Sequence, residues 1–221
     1  PTIADTGSYA EAVALCRDFE IWEDLPYSVR NWLESAEEPA PFEHADHEVR
    51  VMSPAKEVAG QIGDKLKQEG YHTRVADEAY SGSTLVIAKR MSERCISILS
   101  GRDPLKKPAA LVYFGESYPE VKGSGKGGRN QELALMCALM LEGQHSVQML
   151  SLATDGVDGP TDAAGAYITS KTTLEARKKG LSLEQFLQNN DSYHFHEAMD
   201  TLIRSGPTGR NFMDIQVMLV E

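Results

Sequence analysis

From residue 47 to the end of the chain, short apolar strands alternate with amphipathic helices, and this alternation points to a layered α/β fold. His47 to Met52 alternates in polarity as a strand does. Pro54 to Glu69 carries Val58, Ile62 and Leu66 at a spacing of four, and Gly70 is placed to close that helix. Tyr71 to Ala76, Ala109 to Phe114, Val147 to Ala153 and Ile215 to Val220 read as further strands, with a short one at Tyr167 and Ile168. Helices are expected over Ser83–Leu99, from about Asn130 to Leu141, and over Lys171–Lys179, Ser182–Asn189 and Tyr193–Arg204. Residues 1–46 differ. They form a helical lead-in, with one helix over Tyr9–Phe19 and a second opened by Pro26, followed by a polar linker holding Pro39 and Pro41. The apolar stripes of these helices need a partner, and the chain starts at Pro1 without an initiator Met. Residues 47–221 are therefore expected to form the α/β domain, and the lead-in either to pack on it or to belong to an N-terminal domain missing from this chain.

The formal net charge of −11 excludes a broad basic footprint for nucleic acid and a polybasic membrane anchor. An anionic substrate must then be met by a local basic site. No apolar run nears the roughly 18 residues of a membrane span. Cys16, Cys95 and Cys137 form no CxxC pair, which points away from zinc and disulfides and toward a reducing cytoplasm. The histidines lack metal-ligand spacing, and His194 and His196 fall on different faces of their helix.

Three loops carry candidate chemistry. Lys122 to Glu132 holds four glycines within Gly123–Gly128, flanked by Lys126 and Arg129, just before a helix. Backbone N–H groups there could receive a phosphate, helped by the helix N-terminus; a plain strand-to-helix connection is the other reading. Gly123, Gly125 and Gly128 also satisfy GxGxxG, but lie about eight residues past the strand, too far for a dinucleotide turn. The second loop, Ala153 to Gly165, places Asp155, Asp158 and Asp162 beyond the carboxyl end of a strand, where open α/β sheets bind ligands. Such aspartates could hold Mg²⁺ or simply make turns. The third, Ser205 to Asp214, sets Thr208 and Asn211 beside Arg210 and could contact an anion or form only a turn.

Taken together and in this order, Gly125–Glu132, Ala153–Gly165, Asn190–Tyr193 and Gly206–Asn211 resemble the glycerate 2-kinase family, which ends in the MOFRL domain and some of whose members are labelled hydroxypyruvate reductase. The match is strong over about residues 108–221 and looser before, where Pro1-Thr2-Ile3-Ala4-Asp5 echoes a family pattern. The resemblance implies a chain about twice this length, in which an N-terminal Rossmann-like half and this one enclose a cleft. It implies transfer of a phosphoryl group from ATP, with Mg²⁺, to D-glycerate, giving 2-phosphoglycerate. Arg129 and Asp155 would then be catalytic, Arg129 neutralising phosphoryl or carboxylate charge. Gly125, Lys126, Gly127 and Gly128 would bind phosphate, Asp155 and Asp158 would hold Mg²⁺, and Asn130, Glu132, Thr208 and Asn211 would shape the cleft. An essential family lysine belongs to the other half. Arg210 and Met213 stand where the family usually has Thr and Asn, which bears on the substrate. A hydroxypyruvate reductase and a non-catalytic anion-binding or oligomerising module are the competing readings, and a homo-oligomer stays open.

Overall fold

A computed structural model describes residues 7–37 and 54–221. The chain separates into two compact units, Pro1–Met52 and Ser53–Glu221. In the first, α1 (Tyr9–Asp18) starts in a capping box in which Ser8 and Glu11 exchange hydrogen bonds, and α2 (Tyr27–Ser35) follows Pro26. Neither helix buries a residue. The expected linker and the strand His47–Met52 lie almost wholly outside the described residues.

The second unit runs α3 (Ala55–Gln68), β1 (His72–Val75), β2 (Tyr80–Ser83), α4 (Thr84–Leu99), β3 (Ala109–Tyr118), α5 (Arg129–Met140), β4 (Val147–Ala153), β5 (Gly165–Thr169), α6 (Thr172–Lys178), α7 (Leu183–Gln188), α8 (Ser192–Met199), β6 (Leu202–Ile203) and β7 (Asp214–Val220). The strands form one mixed sheet in the order β1-β3-β7-β4-β5-β6, with β2 also beside β3. The last strand of the chain is thus central, antiparallel to both β3 and β4. Its near-continuous apolar run suits a position covered on both faces. The larger core lies between the sheet and α4, α5, α7 and α8, through Ile87, Met91, Cys95, Leu133, Cys137, Met149, Phe195 and Met218. On the opposite face α3 packs Ala59, Ile62 and Leu66 against Val112, Phe114 and Ile215.

Three elements depart from expectation. Polar Tyr80–Ser83 forms a strand because β3 continues past Phe114 and offers it a parallel partner, Gly115 to Tyr118. The β2 backbone passes so close that Gly115, at φ 146°, has no room for a Cβ. The helix expected over Tyr193–Arg204 ends at Met199, where Asp200 turns left-handed at φ 57°. Leu202 and Ile203 then pair with Ala166 and Gly165 and cover the β5 edge.

Helix α5 begins where it does because a distant carboxylate caps it. Gly128, its N-cap, has no side chain to offer. Asp158 Oδ1 accepts from Asn130 N (3.1 Å) and Nδ2 (3.2 Å), and Oδ2 accepts from Gln131 N (2.9 Å) and Nε2 (3.0 Å). A Cβ at position 128 would occupy the space of this carboxyl. Asp158 is 1 % exposed. Burial pushes its pKa up, and the bonds from Asn130 and Gln131 pull against that rise. Its expected role as a Mg²⁺ ligand is therefore corrected: both oxygens are committed to the helix, and none faces solvent.

A buried polar belt continues from this cap. Asn130 Oδ1 accepts from Ser151 Oγ (2.7 Å) and Gln216 Nε2 (3.1 Å), joining α5 to β4 and β7. His196 Nε2 lies 3.0 Å from the Gln131 carbonyl, which can only accept, so this nitrogen carries the proton and Nδ1 accepts from Thr201 Oγ1 at 2.8 Å. Burial pushes the His196 pKa down to about 4. The ring stays neutral in the fold while the unfolded chain takes up a proton below about 6.5. Stability is therefore full above that pH and falls as pH drops toward about 4, by on the order of 3 kcal/mol.

Two outcomes follow. In urea unfolding, the stability advantage of the parent over His196→Gln should shrink by that amount between pH 7 and pH 4; a constant difference would mean that His196 charges within the fold. Asp158→Ala should cost about 3 kcal/mol by stranding buried donors, equally with and without Mg²⁺. Mg²⁺-dependent thermal stabilisation that this substitution abolishes would restore a metal role.

Candidate active site at one end of the sheet

In register, Asp214 sits between Gly115 of β3 and Ala153 of β4. The loops after β3, after β4 and before β7 therefore open at the same end of the sheet, as does the start of α5. This brings together most of the residues singled out in the sequence, but gives them different tasks.

Arg129, the first residue of α5, reaches the first residue of β7. Its Nε donates to Asp214 Oδ2 at 2.6 Å and its Nη2 to Oδ1 at 3.0 Å, while Nη2 also lies 2.9 Å from Glu116 Oε1. The side chain of Asp214 is 1 % exposed, those of Arg129 and Glu116 33 % and 45 %. Nη1 of Arg129 has no partner among the described residues. Burial pushes the Asp214 carboxyl up to about 6, against the pull of Arg129, so it is ionised at neutral pH. Burial works against the Arg129 charge, but the hydrogen bond and charge of Asp214, followed by those of Glu116, hold its pKa above the ordinary value. One cation with two carboxylates leaves the cluster at −1.

The β4 and β7 loops are laced together beside this cluster. Thr208 N donates to the Asp155 carbonyl (2.8 Å), Thr208 Oγ1 to the Thr154 carbonyl (2.7 Å) and Phe212 N to Thr154 Oγ1 (2.7 Å). Both Thr154 N and Thr154 Oγ1 donate to the Met213 carbonyl. Met213 is held left-handed at φ 66°. An unbranched apolar residue gains nothing there, whereas the Asn usual in the resembling family tolerates that conformation. Half-buried Asp155 accepts from Val157 N through Oδ1 (3.0 Å), and its other oxygen has no partner among the described residues. Thr208 and Asn211 are exposed on the same loops.

The glycine segment does not form an open phosphate cradle. Lys122 N and Gly123 N donate to Asn190 Oδ1 (2.8 and 2.9 Å), Ser124 N to Asn189 Oδ1 (3.2 Å), Gly125 N to the Asn189 carbonyl (2.8 Å) and Lys126 N to Asp191 Oδ1 (2.9 Å). A Cβ on Gly123 or Gly125 would strike the backbone of the 189–191 turn, and one on Gly127 would strike Ser192. The glycines thus let two loops lie against each other, and the Asp158 carboxylate already fills the helix N-terminus. The expected phosphate contacts through the backbone of Gly125 and Lys126 are corrected accordingly. Lys126 keeps a cationic head, 3.9 Å over the Tyr193 ring. Glu132 accepts from Asn190 Nδ2 (3.0 Å) and is 4 % exposed, while Asn130 is fully buried. Asn130 therefore shapes the interior rather than a cleft wall, while Glu132 lines a pocket beside Ser83, Lys122 and Asn190.

Asp214, Glu116 and Asn190 were not singled out as site residues. The only signal for Asp214 is a charge at the head of an apolar strand. Among the described residues no three His, Cys, Asp or Glu side chains cluster closely enough to hold a metal by themselves. Mg²⁺ needs only one or two carboxylates besides water and phosphate oxygens, and Asp155, which commits only Oδ1 among the described residues, fits that limited demand.

Comparison with known proteins agrees with this arrangement of loops. Residues 109–214 match the MOFRL family. The D-glycerate 2-kinase of Thermotoga maritima is 35% identical over 173 residues, covering 78% of this chain and 42% of that protein. The glycerate 2-kinase of Pyrococcus horikoshii is 30% identical over 236 residues, covering 100% of this chain and 51% of that protein. The crystal structure of glycerate kinase from Thermotoga maritima superposes with a TM-score of 0.81 at 31% identity, covering 98% of this chain and 51% of that one. The chain thus spans about half the length of these relatives. Through residues 109–214 it carries a match to the MOFRL family, and it is a homologue of the glycerate kinases, corresponding to about half of one.

Proposed function

We propose that this chain is the C-terminal part of a kinase that moves the γ-phosphoryl group of ATP to D-glycerate, giving 2-phosphoglycerate and ADP. The observation that carries this reading is the anchored Arg129 at the loop end of the sheet, in a chain homologous to glycerate kinases. The C2 hydroxyl oxygen of glycerate attacks the γ-phosphorus, the bond to the bridging oxygen breaks with its electron pair left on ADP, and the hydroxyl proton passes to solvent water. Such a transfer depends mainly on positioning and on stabilising charge at the phosphoryl oxygens. Arg129 supplies that charge through its free Nη1 edge. Asp155 would hold Mg²⁺, which would supply positive charge to the nucleotide's phosphates. Asp155 also stands where it can orient the glycerate hydroxyls, with Thr208 and Asn211 beside it.

The excess negative charge around Arg129 means that anionic substrates need further cations. The family resemblance implies one, a lysine, which would come from an N-terminal Rossmann-like half completing the cleft. A hydroxypyruvate reductase is less well supported, because the N–H groups of Lys122 to Lys126, including those of Gly123 and Gly125, are spent on the 189–191 turn. The three free cysteines suit a reducing compartment such as the cytoplasm.

The test is ATP-dependent phosphorylation of D-glycerate by the full-length protein that carries this chain, by its Arg129→Ala variant and by this chain alone. The full-length protein should be active, the variant at least about 100-fold slower in kcat, a loss typical of one missing transition-state donor, and the isolated chain inactive. No transfer by the folded full-length protein would sink the reading.

A further inference from the structure

We propose that Asp214 is a positioning residue for phosphoryl transfer, gripping Arg129 by its Nε–Nη2 edge so that the Nη1 edge is left for the phosphoryl oxygens. This deepens the kinase reading and rests on it for the role of Arg129.

Five observations carry it. The grip is bidentate, at 2.6 and 3.0 Å, and its carboxylate is almost wholly buried. A buried ion pair is a poor source of stability compared with an apolar pair of the same volume, so orientation is the better account of its presence. The carboxylate stands on β7 with a strand on each side, so two ladders fix its place. The guanidinium springs from the first turn of α5, whose start is pinned by Asp158. A long, flexible side chain is thereby held between two rigid elements, and a displacement of about 1 Å at such a group can cost 100-fold in rate. Exposed Glu116 shares Nη2. Without Asp214 the guanidinium would be left to this solvent-facing carboxylate and drawn off its line. The strained Met213 immediately before Asp214 is clamped by Thr154 through two hydrogen bonds to one carbonyl, as expected where structure is held for function rather than stability.

The experiment uses the full-length kinase and added guanidinium ion. In Arg129→Ala, millimolar guanidinium should seat against the vacated Asp214 carboxylate and raise kcat at least about tenfold. In Arg129→Ala/Asp214→Asn, which leaves neither charge buried alone, the rescue should vanish although the protein is folded. Asp214→Asn alone should lower kcat about tenfold or more while KM for ATP changes less than about threefold, and Asp214→Glu should not restore it. The double variant should be no slower than Arg129→Ala. Equal rescue with and without Asp214, or losses that add in full, would overturn the positioning role while leaving the kinase reading intact. An Arg129→Ala enzyme with undiminished kcat would overturn both roles at once.

Discussion

The second unit of this chain depends on one buried carboxylate. Asp158, from the loop after β4, takes the first donors of α5 and so ties that loop, the glycine segment and the central helix to one point. A helix start leaves several N–H groups without partners, and a negative charge there is favoured by the helix dipole. The chain supplies that charge itself. Gly128 must lack a side chain for the carboxylate to approach, and Asn130 and Gln131 add side-chain donors that compensate its burial. The same two residues pass the polar belt on to Ser151, Gln216 and His196, so that strands on both sides are registered against the helix.

With the helix start fixed, Arg129 is fixed as well, and the rest of the site is electrostatic. The guanidinium lies between a buried carboxylate that cannot leave and an exposed one that can. The two differ in kind. Asp214 is held by the sheet, while Glu116 sits where a substrate or an ion can compete for it. The β4 and β7 loops, laced through Thr154 and Thr208, bring the free oxygen of Asp155 to the same end. This half of the site is rich in carboxylates, and its one central cation has its Nε–Nη2 edge committed to two of them. Under the proposed reaction two anionic substrates would call for cations beyond Arg129, and the chain spans about half the length of its relatives.

The sequence by itself determined the elements whose physics is local. The fourfold apolar spacing of α3, the cap at Ser182 and the alternation through β4 follow from side-chain periodicity and turn chemistry. The segments Gly125–Glu132, Ala153–Gly165, Asn190–Tyr193 and Gly206–Asn211, in that order, were likewise enough to suggest a family. Tertiary structure decided the rest, because it depends on partners far apart in sequence. Polar Tyr80–Ser83 is a strand only beside β3, and Leu202–Ile203 only against the β5 edge. A glycine run before a helix looks the same whether it will face a phosphate or another loop. Here Asn189 to Asp191, more than sixty residues away, and the carboxylate of Asp158 took the donors first. Aspartates three residues apart likewise look alike until burial separates them: Asp158 turns inward to cap α5, Asp155 keeps an oxygen free, and Asp214 becomes the holder of Arg129 only because β7 is threaded between β3 and β4.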